Sequence, residues 1–342
     1  MGAATTCRHV AQTSIFALFA LFALFALVAL TVSGPLHAQA PESTYPSRQI
    51  RVIVPFPPGG PTDLYARVIS QKLQDAWGQP VVVENRVGGT GQVGTAMVLQ
   101  APADGYTLLF TSNSAHVISP LLRNPRPFDA VRDFAPVTNA VKYPMYLLIN
   151  PALPAKTVQE FIALAKARPG QLNYSSVGIG SGGHLACEMF NIAAGTNIVH
   201  VPYKGAAPAQ AATIAGEAQM FCDSVGNSQA MVAAGKMRGL AVFADKRSAP
   251  VPEVPTMGET GLQGLAAYIW LGMLAPAGTP SAIVAKLNAE VVKALAQTDV
   301  RERAQKGGNE IVANTPEQFA REMREEQEMW SKVIREKSIK AE

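Results

Sequence analysis

The sequence predicts an α/β protein of two lobes, each built on a mainly parallel sheet. After the first 40 residues, short β-rich runs alternate with helical patterns, which is typical of α/β architectures. Glycine-rich turns stand between strand and helix patterns at residues 57–63, 88–94 and 178–184. Two Pro-bearing stretches, residues 150–154 and 275–280, follow apolar runs and indicate crossings between lobes.

The predicted elements are taken in chain order. Short β-branched runs bounded by Gly, Pro or Asn predict strands at residues 50–55, 81–84, 107–111, 145–149, 172–176, 199–202, 218–223 and 240–244. Apolar residues at helical spacing predict helices at residues 62–77, 91–100, 157–167, 183–194, 206–215, 229–234, 280–296 and 316–337. The last helix carries Phe319, Met323, Trp330 and Ile334 on one face, so we expect it to pack onto a sheet.

The N-terminus is typical of an export signal. Arg8 precedes an apolar run over residues 15–32, and small residues follow at 38–40. We predict a signal peptide at residues 1–40, with cleavage after Ala40, and an uncleaved membrane anchor as the alternative. No later run approaches the length of a membrane span, so the predicted location is the periplasm.

The two crossings divide the exported chain into a discontinuous lobe and a continuous one. We predict lobe 1 at residues 41–148 and 271–342, and lobe 2 at residues 149–270. A chain of 342 residues suits two domains of about 100 to 200 residues each.

Charge and cysteine content exclude several classes of function. The net charge is +4, and Lys and Arg are scattered, so we expect no nucleic-acid partner. Cys187 and Cys222 follow no metal-binding spacing, and no other metal motif is present, so no metal site is predicted. We interpret both cysteines as small core side chains, with a disulfide between them as the alternative.

The glycine turns predict an anion site. Glycine lets a ligand approach the backbone closely, and a helix start has unpaired N–H groups and a fractional positive charge. For one turn, ordinary loop chemistry is the better interpretation. Three turns at strand-to-helix junctions favour a shared site, because ligands bind beyond the carboxyl ends of strands in open α/β sheets.

The same turns do not match the catalytic motifs that they resemble. Two of them have the Gly-x-Gly-x-x-Gly pattern, but neither is followed about 20 residues later by the acidic residue that holds a ribose, so no cofactor is predicted. Ser181 lacks the Gly-x-Ser-x-Gly context of a nucleophile because Ile179 replaces the first glycine. We predict no catalytic residues; an exported serine hydrolase that uses Ser181 and a histidine is the alternative.

Six motifs occur in order along the exported chain. They are VPFPPGGPTD at 54–63, ENR at 84–86, ADGYTL at 103–108, HVPYKG at 200–205, VPT at 254–256 and APAGTP at 275–280. Together they resemble the tripartite tricarboxylate transporter substrate-binding proteins, also called the Bug family, from about Tyr45 to the C-terminus.

The resemblance implies a monomeric periplasmic solute receptor of the Venus flytrap type, similar to type II. Two lobes would close over a small carboxylate and deliver it to integral membrane transporter subunits, without chemistry of their own. The alternative receptor role is a sensor subunit that presents its ligand to a signalling system.

The resemblance also implies which residues contact the ligand, mainly through backbone amides and hydroxyls and not through an arginine clamp. Lobe 1 would contribute Phe56, Pro58, Gly59, Thr62, Asp63, Thr111, Ser112 and Asn113. Lobe 2 would contribute Gly178, Ser181, His184, Tyr203, Lys204, Gly205 and Asp223. Blocking the N–H groups of Gly59 or Gly180 with a bulky side chain is expected to weaken binding.

Several of these residues have structural alternatives. Thr62 also suits a helix N-cap and Asp63 a first helical turn, while Tyr203 could pack in the core. Asp223 would repel an anion, so it would accept from a ligand hydroxyl or ammonium, or from protein N–H groups. Gly182 and Gly183 replace hydroxyl residues of many relatives, which removes side-chain donors at that turn.

Overall fold

The computed structural model describes residues 45–336 and 339. Ten strands form one mixed sheet. The strands are β1 (Ile50–Val54), β2 (Val81–Asn85), β3 (Thr107–Ser112), β4 (Phe134–Ile149), β5 (Asn173–Ser176), β6 (Val199–Pro202), β7 (Met220–Ser224), β8 (Arg238–Val242), β9 (Tyr268–Pro276) and β10 (Glu310–Ile311).

Helices connect the strands and cover the sheet. They are α1 (Pro61–Trp77), α2 (Gln92–Leu99), α3 (Val158–Ala167), α4 (Gly182–Ala194), α5 (Ala206–Ala215), α6 (Val225–Ala233), α7 (Ser281–Leu295), α8 (Thr298–Lys306) and α9 (Pro316–Glu336). A π-helical turn, Ser114–Ile118, and a short helix, Ser119–Leu121, follow β3.

The strand order is β2-β1-β3-β9-β4-β7-β5-β6, with β8 and β10 also pairing with β4. β1 runs parallel to β2 and β3, and β5 runs parallel to β6 and β7. The pairings of β4 and of β9 are antiparallel. We call the part built on β1, β2 and β3 lobe one, and the part built on β5 to β8 lobe two.

Strand β4 belongs to both lobes. Its residues 134–144 pair with β9, and its residues 145–149 pair with β7 and β8. The chain therefore enters lobe two along β4 and returns along β9, so lobe one is discontinuous in sequence. The domain boundaries given above stay a prediction, and the signal predicted at residues 1–40 lies outside the described residues.

Two apolar clusters form the core, the first mainly in lobe one and the second in lobe two. Lobe one packs Ile53, Leu109 and Trp270 together with Phe319 and Trp330 of α9, all nearly inaccessible to solvent. The apolar face predicted for the last helix is thus buried, as its spacing indicates. The second cluster, in lobe two, contains Tyr146, Leu148, Phe221, Val242 and Val254. Among residues 45–336 and 339, no helix combines the length and apolar character needed to cross a bilayer.

Cys187 and Cys222 are buried and carry free thiols. They lie in contact on α4 and β7, and burial raises the pKa of the Cys187 thiol. This placement agrees with the interpretation of both residues as small core side chains.

Candidate ligand-binding site

A cleft of about 850 Å³ is lined by both lobes. The first glycine turn contributes Pro58, Gly60 and Thr62 to its wall, the second contributes Thr90, and the third contributes several residues including Gly178. The three turns that the sequence singles out therefore share one crevice.

Four helices begin at this cleft. The first residues of α1, α4, α5 and α6, or the residues directly before them, line its wall. The first N–H groups of a helix have no partner within the helix and carry its partial positive charge. Four helix starts from two lobes thus make the cleft a favourable place for an anion without any metal ion.

Two of these helices are capped by serine at the cleft. The Ser181 hydroxyl accepts a hydrogen bond from the His184 N–H at 3.3 Å, and the Ser224 hydroxyl accepts one from the Asn227 N–H at 3.3 Å. The caps occupy one N–H group of each helix start. No histidine ring hydrogen-bonds to the Ser181 hydroxyl among the described residues, so the side chain serves as an N-cap there.

The first glycine turn is held in place by Asp63, which lies behind the cleft wall. Its carboxylate accepts from the Gly59 N–H at 2.9 Å, from the Asn85 amide at 2.8 Å and from Arg67 at 3.0 Å. Burial acts to raise the pKa of Asp63, but these bonds outweigh burial and lower it. Helix α1 begins at Pro61 with Gly60 as its N-cap, so Thr62 lies in the first turn and not at the cap.

The third glycine turn is held in the same way by His184. The Gly180 N–H donates to His184 Nδ1 at 3.0 Å, and the His184 ring stacks on His200 with centroids 3.9 Å apart. Burial, followed by the neighbouring His200, lowers the pKa of His184 to about 3, and burial lowers that of His200 to about 4. Both rings are therefore neutral at neutral pH.

These bonds correct one expectation from the sequence. The N–H groups of Gly59 and Gly180 were expected to be open to a ligand, but both donate to side chains of the protein. The expectation was wrong because Asp63 and His184 lie in the first turns of the helices that follow these glycines, where each side chain folds back and accepts the preceding N–H. At Gly180 a side chain would in addition meet Leu122, whose Cδ1 is 2.3 Å from the Cβ position.

Asp223 lines the cleft, but its oxygens are used by the protein. They accept from the Ser224 N–H at 2.8 Å, from Ser228 and Gln210 at 3.1 Å, and from Asn227 at 3.3 Å. Burial raises the pKa of Asp223 against the effect of these bonds. Of the two alternatives open at the sequence level, bonding to protein donors is the one present.

The structure divides the expected contact residues into two groups. Those that line the cleft are Phe56, Pro58, Thr62, Ser112, Gly178, Ser181, Tyr203, Lys204, Gly205 and Asp223. Those that do not line it are Gly59, which is exposed at the surface, and the buried residues Asp63, Thr111, Asn113 and His184. Asn113 is an example of the second group, because its buried amide donates to the Tyr268 carbonyl at 2.9 Å and to Glu326.

Some lining residues were missed from the sequence. They include Thr90, Arg123, Tyr143 and Ile269. Arg123 follows the irregular turns after β3, and Tyr143 lies in the part of β4 that was not predicted as a strand. Burial, followed by the charge of Asp223, raises the pKa of Tyr143 well above its usual range.

The residues described in the structure offer no grouping of three or more His, Cys, Asp or Glu side chains that could hold a metal ion. The chemistry available at the cleft is hydrogen-bond donation from helix starts, hydroxyl groups and two cationic side chains.

Comparison with known proteins agrees with this geometry. The sequence model of the protein family described as tripartite tricarboxylate transporter family receptor matches residues 65–339. Protein BugT of Bordetella pertussis strain Tohama I is 38% identical over 299 residues, which cover 87% of this chain and 91% of that protein.

Solved structures are similar as well. The R. palustris protein Rpa4515, solved with adipate, has a TM-score of 0.77 at 34% identity and covers 86% of this chain and 99% of its own. MatC from Rhodopseudomonas palustris, solved with malate, has a TM-score of 0.74 at 34% identity and covers 85% of this chain and 100% of its own. These likenesses establish the two-lobed periplasmic-binding-protein fold.

Proposed function

Because the chain belongs to the tripartite tricarboxylate transporter receptor family, we propose that it is a periplasmic receptor that captures a small carboxylate between its lobes and delivers it to a membrane transporter. The observation that carries the proposal is the meeting of four helix starts at one cleft. Helix starts stabilise a carboxylate by N–H donation and by their partial charge.

The ligands of the similar structures support the same chemical class. One was solved with adipate and the other with malate, and both molecules are carboxylates. The cleft of about 850 Å³ falls within the range of small-molecule sites. A role as a receptor without catalysis agrees with the use of Ser181 as a helix cap.

Binding in the cleft is tested by isothermal titration of the purified protein against mono-, di- and tricarboxylates. We expect at least one micromolar ligand, whose affinity is lost in Gly60→Trp. Gly60 lines the cleft, has a φ of −76°, and leaves its Cβ position free of close contacts, so an indole there fills the cleft without a backbone penalty.

Gly258→Trp is the matched control, because Gly258 lies outside the cleft and its Cβ position has no contact closer than 3.4 Å. Silence of the wild type towards the whole panel, or equal loss in both folded variants, would contradict the proposed function. Delivery to a transporter, as opposed to a sensor, is tested by deleting the gene and measuring uptake of the bound carboxylate. Normal uptake together with a lost transcriptional response would favour the sensor role.

A further inference from the structure

Arg123 brings a cationic side chain into the cleft from lobe one. It lies just after the short helix Ser119–Leu121 and is half-buried. Its Nε is inaccessible to solvent and has no hydrogen-bond partner among the described residues. One terminal nitrogen donates a long bond of 3.4 Å to the Gly89 carbonyl. Because Nε is enclosed by the protein, the terminal nitrogens of this guanidinium are the donors that can contact a ligand in the cleft, and the long bond to Gly89 is the one hydrogen bond given to them among the described residues.

Two of the glycine turns adjoin this arginine. Gly89 belongs to the second turn, and Leu122 lies against Gly180 of the third. Thr90, beside Gly89, lines the cleft with a φ of 57° and a ψ of 43°, a left-handed conformation that residues other than glycine rarely adopt. Backbone strain of this kind is retained mainly at functional sites. Arg123 therefore lies at the corner where turns two and three meet the cleft.

The charges around the cleft leave Arg123 unpaired. The charged side chains in the wall are Arg123, Lys204 and Asp223. The oxygens of Asp223 are occupied by four protein donors, and neither cation takes part in an ion pair within the described part of the chain. Lys204 is exposed to solvent, which screens its charge, whereas Arg123 is half-buried.

We infer that Arg123 is a specificity-determining residue that binds the second carboxylate of a dicarboxylate ligand. The inference rests on the proposed function, because the helix starts are taken to hold the first carboxylate. A guanidinium presents paired donors that match both oxygens of a carboxylate, and such charge-assisted bonds are the strong ones. A monocarboxylate of the same length would leave Arg123 without its partner.

The test compares matched pairs of acids by isothermal titration: succinate with butyrate, adipate with hexanoate, and terephthalate with 4-methylbenzoate. Within each pair the acids differ in the second carboxylate. We expect the wild type to bind at least one dicarboxylate about tenfold or more tightly than its partner, the scale of a charge-assisted hydrogen bond. In Arg123→Gln this preference disappears, because the dicarboxylate loses affinity while the monocarboxylate changes by less than about twofold.

Arg126→Gln is the control for charge alone. Arg126 lies on the same loop, is exposed and is not part of the cleft wall, so its removal changes the net charge equally. Equal loss for both acids in Arg123→Gln, or the same loss in Arg126→Gln, would overturn the inference and leave carboxylate binding intact. Binding of the monocarboxylates without any dicarboxylate would also overturn the inference and leave carboxylate binding intact. Silence of the folded wild type towards these six acids would overturn this inference, whereas the proposed function is contradicted only if the tricarboxylates of the wider panel are not bound either.

Discussion

The replacement of Gly183 by alanine tests how closely the start of α4 is fitted to the sheet. Gly183 is the second residue of α4 and lies directly over β7. An added Cβ would be 2.3 Å from the backbone carbonyl oxygen of Cys222. Glycine is therefore required at position 183 in this chain, since no side chain fits between α4 and β7.

The clash can be converted into an expected cost. An ordinary contact begins near 3.4 Å, so helix start and strand must separate by about 1 Å. Forcing an extra methyl group into a packed site costs about 1–3 kcal/mol. Without the clash, replacing a helical glycine by alanine would raise the free energy of unfolding by up to about 1 kcal/mol. A decrease in the free energy of unfolding therefore indicates the clash, and an increase indicates its absence. A shift of about 1 Å also takes N–H groups at the start of α4 out of hydrogen-bond range of a ligand.

Thermal unfolding and isothermal titration measure the two effects. We expect Gly183→Ala to lower the melting temperature by several degrees and to weaken carboxylate binding. Gly182→Ala is the matched control, because its Cβ meets the end of the Ile269 side chain at 2.0 Å and not the backbone. Adding Ile269→Val removes that atom, while Cγ1 remains at 2.9 Å, and should therefore restore part of the stability of Gly182→Ala. A Gly183→Ala protein as stable as wild type, with unchanged affinity, would refute the reasoning.

Three further predictions concern buried groups. The pKa values of His184 and His200 are lowered by burial to about 3 and about 4, from 6.5, so the unfolded chain binds more protons below pH 6.5. The melting temperature should therefore fall as pH drops from about 6.5 to about 4, and His200→Gln should reduce this slope; an equal slope in the variant would contradict the assignment. Thiol reagents should label Cys187 and Cys222 only after denaturation, and rapid labelling of the native protein would show that they are accessible. Asp223→Asn places an amide among four donors and should lower the free energy of unfolding by about 1–3 kcal/mol in urea titrations, whereas unchanged stability would mean that these bonds contribute nothing.

Local sequence patterns predicted most of the helices and strands. They did not predict strands whose residue pattern depends on burial or pairing in the folded protein. The helix predicted at residues 206–215 has those bounds, and the one predicted at 62–77 begins one residue earlier, at Pro61. Strand β9 was missed because its continuous apolar run has no alternation, since it is buried on both faces. The first part of β4 was missed because Pro136 and Pro144 disfavour a strand, and a register shift after Pro136 accommodates the first of them.

The site could be predicted as far as it depends on local backbone. Glycine turns at helix starts are visible in the sequence, and all three line the cleft. Arg123 and Tyr143 could not be predicted, because they reach the cleft through an irregular turn after β3 and through the bulged part of β4. Only the path of the folded chain brings these side chains to turns that lie far away in sequence.

Asp63 and His184 were predicted as ligand contacts because of their position beside the glycine turns. Asp63 and His184 each end a glycine turn, in the first turn of the helix that follows, where a side chain can also contact a ligand. Each instead accepts the N–H of its own turn, from Gly59 and Gly180. These bonds fix turns whose glycines would otherwise be flexible, so the remaining N–H groups of the helix starts are ordered before a ligand arrives. Binding then costs less conformational entropy, and Asp63 and His184 contribute to affinity by holding the turns in place.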